Sequence, residues 1–282
     1  MRIHHLSCGS FCPHGARLVN GEGGLLERAT IVCHCLLVEA GDGLVLVDTG
    51  LGLEDARNPR QLGRVFGALI KPRPTAESTA VRQVEALGFD PSDVRHIVTT
   101  HLDLDHAGGL PDFPAAEVHL LGTELEAALQ PAINDRMRYI GGAHWRHGPR
   151  WVAHSGGGGD QWFGFESVRI LPDVDAEILL VPLAGHSRGH TGVAVQTGDG
   201  WLLHCGDAYF HCGEVATSPS CPPALRLFQN VTAADNRVRK ANQERLRELN
   251  RAHGDEVRLF CAHDPRELEL LQAAEVLAAT AG

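Results

Sequence analysis

Short apolar runs recur along the chain, and most of them stop at a turn rich in glycine or acidic residues. Residues 31–39 and 44–48 are two such runs. The stretch Ala40-Gly41-Asp42-Gly43 between them has the composition of a hairpin turn, and Asp48-Thr49-Gly50 closes the second. The period then changes. Across residues 75–87, Val81, Val84 and Leu87 fall on one helical face, with Thr75 as the cap and Gly88 as the stop. A strand over 96–100 follows, and another over 117–121 leads into a helix near 123–129.

Between residues 130 and 165 the pattern weakens. Trp145, Trp151, Trp162, His144, His147 and His154 stand among glycine and proline. The segment reads equally as an insertion over the active face or as an irregular surface stretch. Gly156-Gly157-Gly158-Gly159 predicts a surface loop, but no linker composition surrounds it, so residues 1–282 read as one domain. Strands return at 168–171, 177–182, 191–197 and 201–205. A helix over 233–252, a strand over 257–262 and a last helix from Pro265 complete the pattern. Strands followed by helices, twice over, predict an α/β protein in which two packed sheets are covered by helices on both outer faces.

Charge works by exclusion. The 282 residues carry 25 basic and 35 acidic side chains, a net charge of -10, with no block of Lys and Arg, so nucleic acid is not an expected partner. The arginines between 237 and 251 alternate with Glu and Leu at helical spacing, the pattern of a solvated helix face. Met1-Arg2-Ile3-His4-His5-Leu6 lacks the apolar core of a signal peptide, and no apolar run approaches spanning length. A soluble, cytoplasmic protein with no membrane partner is expected. The eight cysteines include no Cys-x-x-Cys pair and are expected to be reduced and mostly buried. Cys33-His34-Cys35 on an extended strand puts both thiols on one face and the imidazole on the other, which argues against a zinc site there.

The densest chemistry lies in Thr100-His101-Leu102-Asp103-Leu104-Asp105-His106-Ala107-Gly108-Gly109. Two imidazoles and two carboxylates fall within six residues, where an apolar strand runs into a turn of small residues, which is the arrangement of a metal cradle. Three later strand ends repeat the logic. His186 follows residues 177–182 within Gly185-His186-Ser187-Arg188-Gly189-His190, Asp207 follows 201–205, and His263 follows 257–262. Each alone is an ordinary cap or turn residue. Together they point to one shared centre.

This ordered set resembles the metallo-β-lactamase superfamily of hydrolases, most closely its N-acyl homoserine lactonase-like branch, over residues 31–263. The resemblance implies an αββα sandwich holding two divalent metal ions at one edge of the sheets. His101 and His186 would bind the first, Asp105, His106 and His263 the second, and Asp207 would bridge. Asp48 and His190 would support these ligands from behind. The family motif His-x-His-x-Asp-His reads His-x-Asp-x-Asp-His here, with Asp103 at the second imidazole position. Zinc is the metal that the family implies. A carboxylate adds hard oxygen character and moves the preference toward iron or manganese, as in the flavodiiron proteins of the same superfamily, which carry Glu at that place. Asp103 either binds the first metal or hydrogen-bonds His101 or a metal-bound water.

By the same resemblance the protein would be a metal-dependent hydrolase of a small-molecule ester, lactone or thioester. A hydroxide bridging the metals would attack the carbonyl, with Asp105 and Asp207 as the catalytic carboxylates and Asp105 moving the proton. In the lactonase branch a Tyr three residues after the bridging Asp contacts substrate. Phe210 stands there in this chain, which leaves Tyr209 as the candidate substrate contact; His204 and His211 receive no role. The ligand set does not separate this reading from a glyoxalase-II-like thioesterase or a β-lactamase-like amidase. A diiron or dimanganese oxidoreductase and a non-catalytic metal-binding protein also stay open, as does the oligomeric state, a homodimer included.

Overall fold

Alternation along the strands decides which side chains meet in this protein. The computed structural model describes all residues except 42, 133, 134, 136, 137, 140–143, 157, 158 and 282. In chain order its elements are β1 Ile3–Phe11, α1 Ala16–Val19, β2 Ile31–Ala40, β3 Gly43–Val47, α2 Leu53–Arg57, α3 Arg64–Ile70, α4 Ala80–Ala86, β4 Val94–Val98 and α5 Leu104–Ala107. There follow β5 Glu117–Leu121, α6 Gly122–Leu129, β6 Arg150–His154, β7 Asp160–Trp162, β8 Phe165–Ile170, β9 Ile178–Pro182, β10 Thr191–Thr197 and β11 Gly200–His204. The chain ends with α7 Pro223–Thr232, α8 Asn236–His253, β12 Val257–Phe260 and α9 Pro265–Ala281.

The first sheet has the order β1-β2-β3-β4-β5-β6 and the second β12-β11-β10-β9-β8-β7. Each is mixed: β3 through β6 run parallel, as do β11 and β12, while the remaining neighbours are antiparallel. On β2, Leu36 and Val38 turn inward and join Val45, Val47 and Val98 against Ile178, Leu180, Val193 and Val195 of the facing sheet. Cys35 and Leu37 turn outward and pack with Ala80, Val81 and Val84 of α4 and Ala127 and Ala128 of α6. On the other side Leu179, Val181, Ala194 and Leu203 meet Leu246 and Leu249 of α8. Each fully buried Leu, Ile or Val among them contributes about 1.5–3 kcal/mol. The layers are helix, sheet, sheet, helix, the αββα order that the sequence led us to expect. Among the described residues no helix is long and apolar enough to cross a membrane.

Several boundaries differ from expectation. The helix expected over 75–87 begins only at Ala80, because Thr75 and Ser78 close a turn of their own: each backbone or hydroxyl donor of Ser78 bonds back to Thr75. Leu87, expected on the buried face, is 41% exposed at the helix end. The helix expected from 233 begins at Asn236, because the Asp235 carboxylate accepts from the N–H groups of Arg237 and Val238. β1 was not expected. His4 and His5 interrupt its apolar run, yet both are buried, His4 between Glu39 and Glu275 and His5 against His34. The weakly patterned segment from 130 to 165 supplies β6 and β7, one edge strand for each sheet. Residue 42 of the predicted hairpin turn and residues 157 and 158 of the glycine run lie outside the described residues.

Candidate metal centre

The C-terminal ends of β3, β4, β11 and β12 and the turn from β9 to β10 open on one edge of the sandwich. Asp48 follows β3, His101 to His106 follow β4, His186 lies between β9 and β10, Asp207 follows β11 and His263 follows β12. Residues remote in sequence converge because parallel strands deliver their ends to the same side. His101, Asp103, His186 and Asp207 form one group of potential metal donors, and Asp105, His106 and His263 form another.

Asp207 divides its two oxygens between these groups. Its Oδ2 lies 3.2 Å from His186 Nε2 and 3.9 Å from His101 Nε2, while its Oδ1 lies 3.0 Å from His263 Nε2 and 3.1 Å from His106 Nε2. Asp103 Oδ2 stands 3.1 Å from His186 Nε2 and 3.5 Å from His101 Nε2, and Asp105 Oδ2 stands 3.6 Å from His263 Nε2.

The imidazoles are oriented from behind. Asp48 is fully buried; its Oδ2 accepts from His106 Nδ1 at 2.8 Å and from the Thr100 hydroxyl at 2.8 Å, and its Oδ1 accepts from the Thr100 N–H. Having donated to Asp48, the Thr100 oxygen is an acceptor for His101 Nδ1 at 3.0 Å. His263 Nδ1 donates to the carbonyl of Val32 at 2.8 Å. In three rings, therefore, Nδ1 holds its proton on a fixed acceptor and Nε2 is turned toward the centre, the orientation a metal requires. Nε2 of His101 and of His106 and Oδ1 of Asp207 are buried without a hydrogen-bond partner. Buried polar atoms are seldom left so, and a donor set of imidazole and carboxylate fits divalent cations.

Charge follows the same geometry. Burial alone would raise Asp207, yet His263, His106 and His186 hold its carboxyl well below the usual range. Burial opposes protonation of His106, but Asp207 and Asp48 push that imidazole well above its ordinary value. His186 goes the other way, to about 4, through burial and the neighbouring Arg138 guanidinium. A carboxylate-rich centre that draws positive charge to itself is the electrostatic signature of a cation site.

His190 does not face the donors. Its Nδ1 donates to the Leu183 carbonyl and its Nε2 accepts the N–H of Asp207 at 2.8 Å, so it fixes the backbone from which Asp207 projects. Gly206, at φ +52, keeps that contact open, since a Cβ there would stand 2.6 Å from His190 Nε2. Tyr209, the expected substrate contact, is turned away from the centre. It is fully buried and its hydroxyl donates to Glu267 Oε1 at 2.9 Å. Phe210 lies there instead, its ring 4.7 Å from that of His263 and 6.0 Å from that of His186. Beside it lies a narrow crevice of about 20 Å³ lined by residues that include Asn20, Ile31, Phe210, Leu225 and His263.

Two residues of this region escaped sequence reasoning. Arg138 sets Nη1 2.5 Å from Asp103 Oδ2 and 2.7 Å from His186 Nε2, while Nη2 donates to the Thr232 carbonyl. Glu124 is fully buried and accepts from Leu102 N, Tyr139 Oη, Ser187 Oγ and Gly189 N, clamping the loops that carry Asp103 and His186. An acidic residue in place of an expected imidazole was the one available hint of a cationic partner; for Glu124 the sequence carried none.

Against known proteins, residues 29–263 match the profile described as Metallo-beta-lactamase superfamily. A probable metallo-hydrolase of Mycobacterium tuberculosis strain H37Rv is 41% identical over 266 residues, covering 94% of this chain and 81% of the relative. The N-acyl homoserine lactonase AttM of Rhizobium johnstonii is 29% identical over 198 residues, covering 70% of this chain and 71% of that one. The solved structure of an N-acyl homoserine lactone hydrolase, with the product N-hexanoyl-L-homoserine bound at its catalytic metal center, superposes with a TM-score of 0.69. It shares 21% identity over 95% of both chains, a likeness of fold.

Proposed function

Because the chain belongs to the metallo-beta-lactamase superfamily and is a hydrolase of that family, we propose that it cleaves a small-molecule ester, lactone or thioester at a centre of two divalent cations. The division of Asp207 between His101 and His186 on one oxygen and His106 and His263 on the other is the observation that carries this reading. His101, Asp103, His186 and Asp207 Oδ2 would hold the first cation, and Asp105, His106, His263 and Asp207 Oδ1 the second. Two such cations supply a Lewis acid for the substrate carbonyl and a water acidified enough to be a nucleophile at neutral pH.

The chain's own groups do the rest. Asp48, Thr100 and the Val32 carbonyl keep the imidazole Nε2 atoms free for the cations by holding the Nδ1 protons. Asp105, with its side chain 15% exposed, takes the proton of the attacking water and passes it to the leaving oxygen or sulfur. Water and the ester thus yield a carboxylic acid and an alcohol or thiol, with the C–O or C–S bond broken. Asp103 adds a second carboxylate to the first group and with it a preference for harder cations than an all-imidazole set would have. Phe210 and Leu225 give the narrow crevice beside His263 an apolar wall, and the lactonase among the relatives favours a lactone ring as the electrophile.

The test is turnover of a panel of acyl lactones, thioesters, aryl esters and β-lactams by protein reconstituted with zinc, manganese or iron(II). Hydrolysis of a lactone, ester or thioester that is lost on chelation is expected. No turnover of any of them by fully loaded protein would refute the reading.

A further inference from the structure

Three imidazoles and a carboxylate cross the first sheet well away from the centre. His96 lies on β4, Glu117 and His119 on β5, and His154 on β6. The strands are parallel and in register, His96 beside Glu117 and Leu121 beside His154. Because side chains alternate, His96 shares a face with Val98, and Glu117 and His119 share one with Leu121, the face that turns toward the second sheet. His96 precedes His101 by five residues, roughly 15 Å along the chain at strand rise.

The donor atoms converge. His96 Nδ1 is 3.1 Å from His119 Nε2 and 3.6 Å from Glu117 Oε2. His119 Nδ1 is 3.1 Å from His154 Nε2, and Glu117 Oε1 accepts from Arg150 Nη2 at 2.7 Å. If His119 Nδ1 donates to His154, its Nε2 presents a lone pair toward His96, so His154 does for His119 what Asp48 does for His106. Arg150 holds one oxygen of Glu117 and leaves the other facing His96. Two nitrogens 3.1 Å apart match the span of two imidazoles on one cation at about 2.0–2.1 Å each. Burial holds all three histidines below their ordinary value, with the rings of His96 and His154 adding to it at His119, which falls to about 3. The side chains of His96 and Glu117 are 23% and 34% exposed, which gives a cation an entry path.

We propose that His96 Nδ1, His119 Nε2 and Glu117 Oε2 form a separate site for a zinc-class divalent cation, completed by solvent and tying β4 to β5. Two imidazoles and one carboxylate with an open position suit zinc, copper or nickel, and the arrangement stands apart from the residues assigned to hydrolysis.

Equilibrium dialysis of the full chain against Zn²⁺, with bound metal counted by mass spectrometry, tests it. His96→Ala should bind one equivalent fewer than the unsubstituted protein, with hydrolysis of a reporter ester unchanged. Glu117→Gln, a milder change on a partly exposed side chain, should weaken that equivalent at least tenfold. Equal zinc number and affinity in all three proteins would overturn the proposal. The catalytic reading fails on a different observation: if the protein is inactive yet loses one zinc on His96→Ala, this site stands and that reading falls.

Discussion

Arg138 places its Nη1 2.5 Å from Asp103 Oδ2, so the carboxylate that replaces the family's second imidazole is paired with a nearly buried guanidinium. The same nitrogen lies 2.7 Å from His186 Nε2, which has a single lone pair to give. Arg138 and a cation at the first position therefore compete for one acceptor. Arg138→Ala should raise the affinity for a cation at the proposed first position at least tenfold, read by isothermal titration of apoprotein with Mn²⁺ or Zn²⁺. Unchanged affinity would mean that the guanidinium leaves without cost when metal binds.

Asp103→His restores the imidazole and removes the partner of Arg138. The metal content of protein purified without added metal should shift toward zinc. An unchanged metal profile would place Asp103 outside the set of ligands.

Glu124 accepts four hydrogen bonds from three separate chain segments while fully buried. Glu124→Gln keeps the shape but replaces one acceptor oxygen with a donor that faces the donors of the clamped loops. A loss of about 3 kcal/mol follows from charged hydrogen bonds of this kind, and thermal unfolding should fall by roughly 6–12 °C. A shift of a degree or less would show that the loops hold themselves.

Burial raises the Glu267 carboxyl from its ordinary 4.5 to about 7, although the Cys261 N–H and the Tyr209 hydroxyl both donate to it. The folded state binds this proton more tightly than the unfolded chain. The associated stability is therefore complete below pH 4.5 and lost as pH rises through about 7. The full effect is at most about 3 kcal/mol. Glu267→Gln does not titrate, so its melting temperature relative to the unsubstituted protein should climb between pH 5 and pH 8. A difference that stays flat across that range would remove Glu267 from the pH dependence.

The candidate donors were legible as a cluster because each polar residue stands at the end of an apolar run, and parallel strands bring such ends to one edge. His101, Asp105, His106, His186, Asp207 and His263 all carry that local mark. Asp48 was legible for the same reason, at the end of β3. Arg138 and Glu124 carry no local mark. Arg138 sits in a segment whose hydrophobic period is weak, and Glu124 is an ordinary glutamate on a short helix until folding brings four donors to it. Tyr209 and Phe210 show the limit of adjacency: neighbours on a turn point in opposite directions, and only one of them faces the centre. β1 was hidden because His4 finds partners on β2 and α9 that lie 35 and 271 residues away, and His5 finds one on β2 29 residues away.

The central claim is that Asp207 stands between two cations, one on each oxygen. Anomalous diffraction at the metal edge from crystals of reconstituted protein measures this directly. The account predicts two peaks at the centre, one within about 2 Å of Asp207 Oδ1 beside His106 and His263, the other as close to Oδ2 beside His101 and His186. A single peak at the centre, or two peaks that share no Asp207 ligand, would contradict it.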